Sequence, residues 1–216
     1  MVFTLIAINV VIFMIGLYSP SLHNNLINDY GSLRLARTQT GAIIGIGAGE
    51  WWRAITYAFL HAGFLHILFN MYFLYIFGPR LEQQVKAGAF TGIFLASAAG
   101  GSLASFLFGP PNIPSIGASG ALFGLFGAWL YAAYRQRGSA AGKAMFNQLG
   151  GILLLNMALP LFIPDIDWRG HVGGLVTGVV IALLWERIAR GRNARMKRTI
   201  TAYAVFIAIM AALIIL

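Results

Sequence analysis

A serine, two histidines and an asparagine are the side chains of this 216-residue chain whose types and spacing suit chemistry: His66, Asn70, Ser119 and His171. Ser119 lies in the run from Pro114 to Gly127 (PSIGASGALFGLFG), where a proline-broken loop gives way to an apolar, glycine-studded helix. The first turn of a helix has unpaired backbone N–H groups and partial positive charge. If Ser119 attacks a carbonyl, those donors stand beside the oxyanion that forms. A serine needs a base to become a nucleophile, and a histidine near its ordinary pKa of ~6.5 can take the proton. His66 and Asn70 are four residues apart, on one helix face, and can offer further donors to the oxyanion. A plainer reading is open for each residue: an N-cap serine between packing glycines, structural histidines, and an asparagine that joins helices.

These residues have to be positioned by membrane helices. Hydrophobic residues make up 59% of the chain and charged residues 10%, whereas a soluble domain carries roughly a quarter charged residues. Mean hydropathy is +0.77. The composition therefore predicts an all-α, polytopic membrane protein. About 20 apolar residues cross a bilayer, and that length predicts seven spans, near 2–18, 64–81, 88–108, 117–134, 146–163, 169–186 and 199–216. There is no internal repeat and no linker long enough to separate domains, so one membrane domain over 1–216 is expected. Spans two, four and six run in the same direction. His66, Ser119 and His171 each fall within a few residues of the outer end of their span, at one depth, with Asn70 one turn deeper. Asn9 and Asn156 are the other amides within spans, in the first and fifth.

The formal charge of +9 would suggest nucleic acid in a soluble chain. Here the basic residues gather in connections between apolar runs, which points to topology and anionic lipid instead. Arg80 and Lys86, then Arg135, Arg137 and Lys143, then Arg187, Arg190, Arg192, Arg195, Lys197 and Arg198 lie on one side. Only Arg34, Arg37, Arg53 and Arg169 lie on the other, alongside Asp29, Glu50, Asp165 and Asp167. The positive-inside rule then puts the N-terminus in the cytoplasm and, after an odd number of spans, the C-terminus outside. The apolar start lacks a basic n-region and is read as a first span. A bacterial inner membrane is the expected location, since no organellar targeting segment precedes that span. The absence of cysteine excludes thiol chemistry and disulfides.

The first outer connection, 19–63, is too long for a tight turn. Its GEWWR segment, 49–53, followed by AITYAF, 54–59, reads as an interfacial piece, because tryptophan prefers the headgroup region. Arg53 either anchors that piece to carbonyls or phosphate, or snorkels. Gly63 is a plausible break before span two. Gly120, Gly124 and Gly127 in span four can face Gly170, Gly174 and Gly178 in span six, letting the two backbones approach as a Ser119–His171 hydrogen bond requires. Phe123, four residues after Ser119, lies on the same face, where it can pack beneath an imidazole or serve as ordinary core.

With these residues in place, the chain resembles the rhomboid intramembrane serine proteases. The stretches that carry the likeness are Trp52-Arg53; the run from His61 through His66 to Asn70 (HAGFLHILFN); Gly78 with Glu82; Gly117-Ala118-Ser119-Gly120; and Gly170-His171 with Gly174 and Gly178. They cover residues 1–190. The resemblance implies Ser119 as nucleophile and His171 as base, a dyad without a carboxylate. It implies an oxyanion hole from His66, Asn70 and the Ser119 N–H, with Gly117, Gly120, Phe123 and Gly174 in support. Trp52 and Arg53 would belong to the family's membrane-embedded first loop and the fifth span to its lateral substrate gate. The last span, 199–216, would make a six-plus-one version of the fold. Gly170 stands where many members have alanine.

Other hydrolase classes fail on residues. There is no H-E-x-x-H zinc motif, and the aspartates lie in outer connections rather than in spans. Ala121 replaces the last glycine of G-x-S-x-G. No metal or other cofactor is expected. The expected partners are membrane lipid and transmembrane protein substrates, cleaved near their outer ends where glycine, proline or polar residues let the helix unwind; no nucleic acid is expected. The runners-up are a non-catalytic rhomboid-like binding protein for membrane clients and a small transporter.

Overall fold

The structure, a computed structural model, describes residues 1–163, 166–189, 191 and 193–216. Asp165, Arg190 and Arg192, assigned above to connections, lie outside the described residues. The fold is an all-α polytopic bundle. Its helices are α1 (Val2–Leu17), α2 (Pro20–Tyr30), the short α3 (Arg53–Thr56), α4 (Phe64–Val85), α5 (Ala87–Phe108), α6 (Ser119–Arg135), α7 (Ala140–Ala158), α8 (Trp168–Ile188) and α9 (Ala194–Ile215). A two-residue hairpin, β1 (Ala36–Arg37) against β2 (Ile43–Ile44), decorates the first connection.

Each of the seven expected spans falls on a helix, but their lengths differ. The α5, α8 and α9 helices, and α7 together with the turn that extends it to Leu161, are long and apolar enough to cross a bilayer. A fifth crossing is formed if Arg53–Phe59 and Phe64–Val85, bent by 94° at the break, count as one broken span. The α1 and α6 helices have 16 and 17 residues, short of the roughly 20 that a bilayer core requires. For α6 the reason is its place: most of it is buried within the bundle, so protein rather than lipid meets its surface. Other ends also shift. α7 starts at Ala140 and α9 at Ala194, several residues before the apolar runs, because helices continue into polar turns at their ends.

The centre of the bundle is α5, whose buried residues include a run of small ones, Ala96, Ser97, Ala98, Ala99, Gly100, Gly101 and Ser102, besides Phe90, Ile93, Phe94 and Phe106. Lipid offers no hydrophobic drive between helices, so association depends on close van der Waals fit, which small residues allow. The tightest approach joins α6 and α8. A Cβ on Gly174 would collide with the carbonyl of Gly120, and a Cβ on Gly178 with the carbonyl of Gly124, one turn on. By contrast, α7 lies at the edge of the bundle with little of its surface buried.

Replacing Gly178 by valine should force α6 and α8 apart at a cost on the order of 3 kcal/mol. Thermal unfolding in detergent should show a clearly lower midpoint than wild type. Gly150→Ala, where the new methyl meets nothing within 4 Å, should leave it unchanged, and equal midpoints for the two variants would contradict the close approach.

Candidate active site

The three helices that carry the polar residues all present their N-terminal ends to one place. Ser119 is the first residue of α6, His171 the fourth of α8 and His66 the third of α4. Helix α6 is capped by Ala118, which has no side chain to offer. Ser119 is therefore not an N-cap, and the capping reading left open above is set aside. Its hydroxyl instead lies 2.8 Å from His171 Nε2. The His171 ring is buried and stacks on Phe123, centroids 4.3 Å apart and planes 12° from parallel. His171 Nδ1 is buried and has no hydrogen-bond partner among the described residues. The ring is thus held by an aromatic face and not by a carboxylate.

His66 approaches from the other side. Its Nδ1 accepts the Ala62 N–H at 3.4 Å, which leaves Nε2 as the N–H donor of a neutral ring. A Cβ on Gly117 would stand 2.5 Å from that Nε2, so the backbone entering α6 lies against the imidazole. Gly117 adopts φ +116°, a conformation open to glycine and costly for other residues. Asn70 is buried, and its amide donates to the His66 carbonyl at 2.9 Å. An amide carries two N–H groups, so one remains after this bond.

The connection before Ser119 is fixed at several points. Ser115 pairs with Ser32 through both backbone groups, at 2.9 and 2.8 Å, and Gly117 N–H donates to Tyr57 O at 2.9 Å. Tyr57 itself is buried and its hydroxyl donates to Ala98 O on α5 at 2.9 Å. The sequence places Tyr57 only within the interfacial piece; nothing in its type distinguishes it from the many other aromatics. His61 is buried edge-on to His66, centroids 4.9 Å apart. Asp167 is the other residue not singled out: it caps α8 through Gly170 N–H at 3.0 Å. An aspartate just before a helical run is a cap signal.

Trp52 and Arg53 do not reach the serine through any hydrogen bond of the structure. Arg53 is 1% exposed, which rules out snorkelling. Its Nε pairs with Glu50 at 2.6 Å, and its Nη1 donates to Asn28 O at 2.6 Å and Gly31 O at 3.1 Å. Arg53 thereby knits the first connection together, on which Ser32 and Tyr57 depend. Trp52 is partly exposed, edge-on to Trp51. Gly120 and Gly174 make the close backbone contact that brings Ser119 and His171 within reach.

Against known proteins, a family model described as "Rhomboid domain" matches residues 48–188. The Rhomboid protease GluP of Bacillus subtilis (strain 168) is 38% identical over 157 residues, 67% of this chain and 30% of that protein. The Putative rhomboid protease YdcA of the same strain is 33% identical over 147 residues, 68% of this chain and 73% of that protein. RHOMBOID-like protein 6, mitochondrial, of Arabidopsis thaliana is 36% identical over 179 residues, 74% and 56% of the two chains. The chain thus spans less than two thirds of the length of the first and third of these relatives.

A methyl group at residue 117 should displace the His66 ring. In histidine-labelled protein, Gly117→Ala should shift the His66 imidazole resonances by NMR and lower stability by about 1–3 kcal/mol. Gly63→Ala, where the methyl meets nothing within 4 Å, should move neither. His66 resonances unchanged in Gly117→Ala would show that the ring does not rest on this backbone.

Proposed function

The chain belongs to the rhomboid family, and from that premise we propose that it is an intramembrane serine endopeptidase that cuts transmembrane segments of other proteins near their outer ends. The observation that carries this reading is the 2.8 Å contact between Ser119 Oγ and His171 Nε2 at the facing N-termini of α6 and α8. In the proposed reaction the Ser119 hydroxyl attacks the scissile carbonyl carbon while His171 Nε2 takes its proton. The oxyanion of the tetrahedral intermediate is met by the Ser119 N–H, the His66 Nε2–H and the free Asn70 amide N–H. As the C–N bond breaks, His171 returns the proton to the leaving amine. Water then attacks the acyl-serine, with His171 as base again; the ester bond to Ser119 Oγ breaks, His171 returns the proton to Ser119, and the new carboxyl terminus leaves.

Donors in this arrangement are worth more than in water, because the surrounding helices keep the dielectric low and the groups are already oriented. Phe123 stacks face to face on the imidazole and opposes its rotation about the Cβ–Cγ bond, which keeps Nε2 aimed at Ser119. The edge helix α7, with little surface committed to the bundle, suits the role of a lateral gate through which a substrate helix reaches Ser119. Residues 1–190 form the proposed catalytic core and α9 an added helix. The distribution of Lys and Arg supports a cytoplasmic N-terminus with Ser119 near the opposite face.

The deciding experiment is covalent labelling of the purified protein by a fluorophosphonate probe. Wild type should label, and Ser119→Ala and His171→Ala should not, while all three remain folded. Against a single-span peptide with a glycine pair near its outer end, His66→Ala and Asn70→Ala should each lose about 10²–10³ in kcat with little change in KM. Turnover retained by Ser119→Ala would sink the assignment. A folded wild type that neither labels nor cleaves would turn the reading toward a binding protein for membrane clients.

A further inference from the structure

One carboxylate beside this site collects bonds from three segments. Asp167 Oδ1 accepts the Gly170 N–H at 3.0 Å. Its Oδ2 accepts the Ser115 hydroxyl at 2.7 Å and also the hydroxyl of Ser105. Ser105 lies in the last turn of α5, Ser115 in the connection four residues before Ser119, and Gly170 in the first turn of α8, beside His171. The Asp167 carbonyl also accepts the His171 backbone N–H at 3.2 Å. The carboxylate makes no bond to the imidazole. His171 Nδ1 has no partner among the described residues, so Asp167 is not the third member of a triad.

Resting on the dyad reading, we propose that Asp167 is a positioning residue, whose carboxylate ties the connection that delivers Ser119 to the helix turn that delivers His171. The backbone pairing of Ser115 with Ser32 fixes that connection to the first outer loop but not to α8. The Asp167–Ser115 bond supplies the missing link, and Ser105 anchors it to the central helix. A carboxylate can accept several donors at once, which suits a strut between separate segments. A displacement of about 1 Å between nucleophile and base costs on the order of 10²-fold in rate.

The test uses the full chain in detergent, with a fluorophosphonate probe and a fluorogenic single-span peptide carrying a glycine pair. Ser115→Ala and Asp167→Asn both leave an acceptor for the Gly170 N–H. Each should lower kcat and the fluorophosphonate inactivation rate about tenfold per folded molecule, with KM within twofold and the thermal midpoint nearly unchanged. Asp167→Ala should fall further. The double variant Ser115→Ala/Asp167→Asn should be no slower than Asp167→Asn alone, since the carboxylate that Ser115 binds is already gone in Asp167→Asn.

Wild-type rates in folded Ser115→Ala and Asp167→Asn, or losses that follow only the folded fraction, would overturn the positioning role. If the Asp167 variants do not fold, Ser115→Ala decides by the same criterion. The wild-type arm reads the underlying assignment separately. A folded wild type that does not label overturns the dyad, and the positioning role with it. A wild type whose labelling is lost in Ser119→Ala, beside unimpaired Ser115→Ala and Asp167→Asn, overturns the positioning role alone.

Discussion

Two helix backbones in near contact are the constraint on which the rest of this molecule depends. A serine hydroxyl and an imidazole carried on different helices reach 2.8 Å only if those helices cross without side chains between them. At the crossing, α8 glycines 174 and 178 meet the carbonyls of α6 glycines 120 and 124. Each close pair gives up side-chain volume that would otherwise fill the core, and the bundle recovers packing from α5, whose Ala, Gly and Ser face closes on the same crossing. In lipid this exchange is favourable, because dispersion between fitted surfaces, not expulsion of water, holds helices together.

The same geometry settles where polar groups can be kept. The first turn of a helix is where a polar side chain meets the least apolar surroundings, because backbone N–H groups there also lack intrahelical partners. Ser119, His171 and His66 all occupy first turns. Asn70, one turn deeper, commits one amide N–H to the His66 carbonyl and leaves the other free. The serine, the two histidines and the asparagine are thus gathered at one end of three parallel helices, where a buried polar group costs least if it finds a partner.

Much of this could be read in the sequence, and the reasons for what could not are physical. The apolar runs reveal helices because a bilayer demands about 20 apolar residues, and the shared depth of His66, Ser119 and His171 follows from three parallel spans. The glycine spacing is legible for the same reason, since few other needs place glycines four apart in such a run. Helix ends were less legible: α7 and α9 extend into polar residues, and α6 is shorter than a free span because protein surrounds it. The Asp167 carboxylate was counted only as outer charge. Its partners Ser105 and Ser115 are 62 and 52 residues away, and no local pattern announces a contact over that distance.

Arg53 shows how the first connection and the Ser119–His171 site become one object. A buried guanidinium must satisfy its donors, and it does so on Glu50 and on the carbonyls of Asn28 and Gly31. Those bonds fold the long first connection back on itself, which sets Ser32 beside Ser115 and Tyr57 beside Gly117. The strand-like pairing at Ser115 and the Gly117 bond then hold the chain that enters α6. Gly117, with its left-handed backbone against His66, converts that restraint into the placement of the next residues. The position of the Ser119 hydroxyl is therefore set from two directions, by glycine contacts between α6 and α8 and by an arginine-centred network in the first connection.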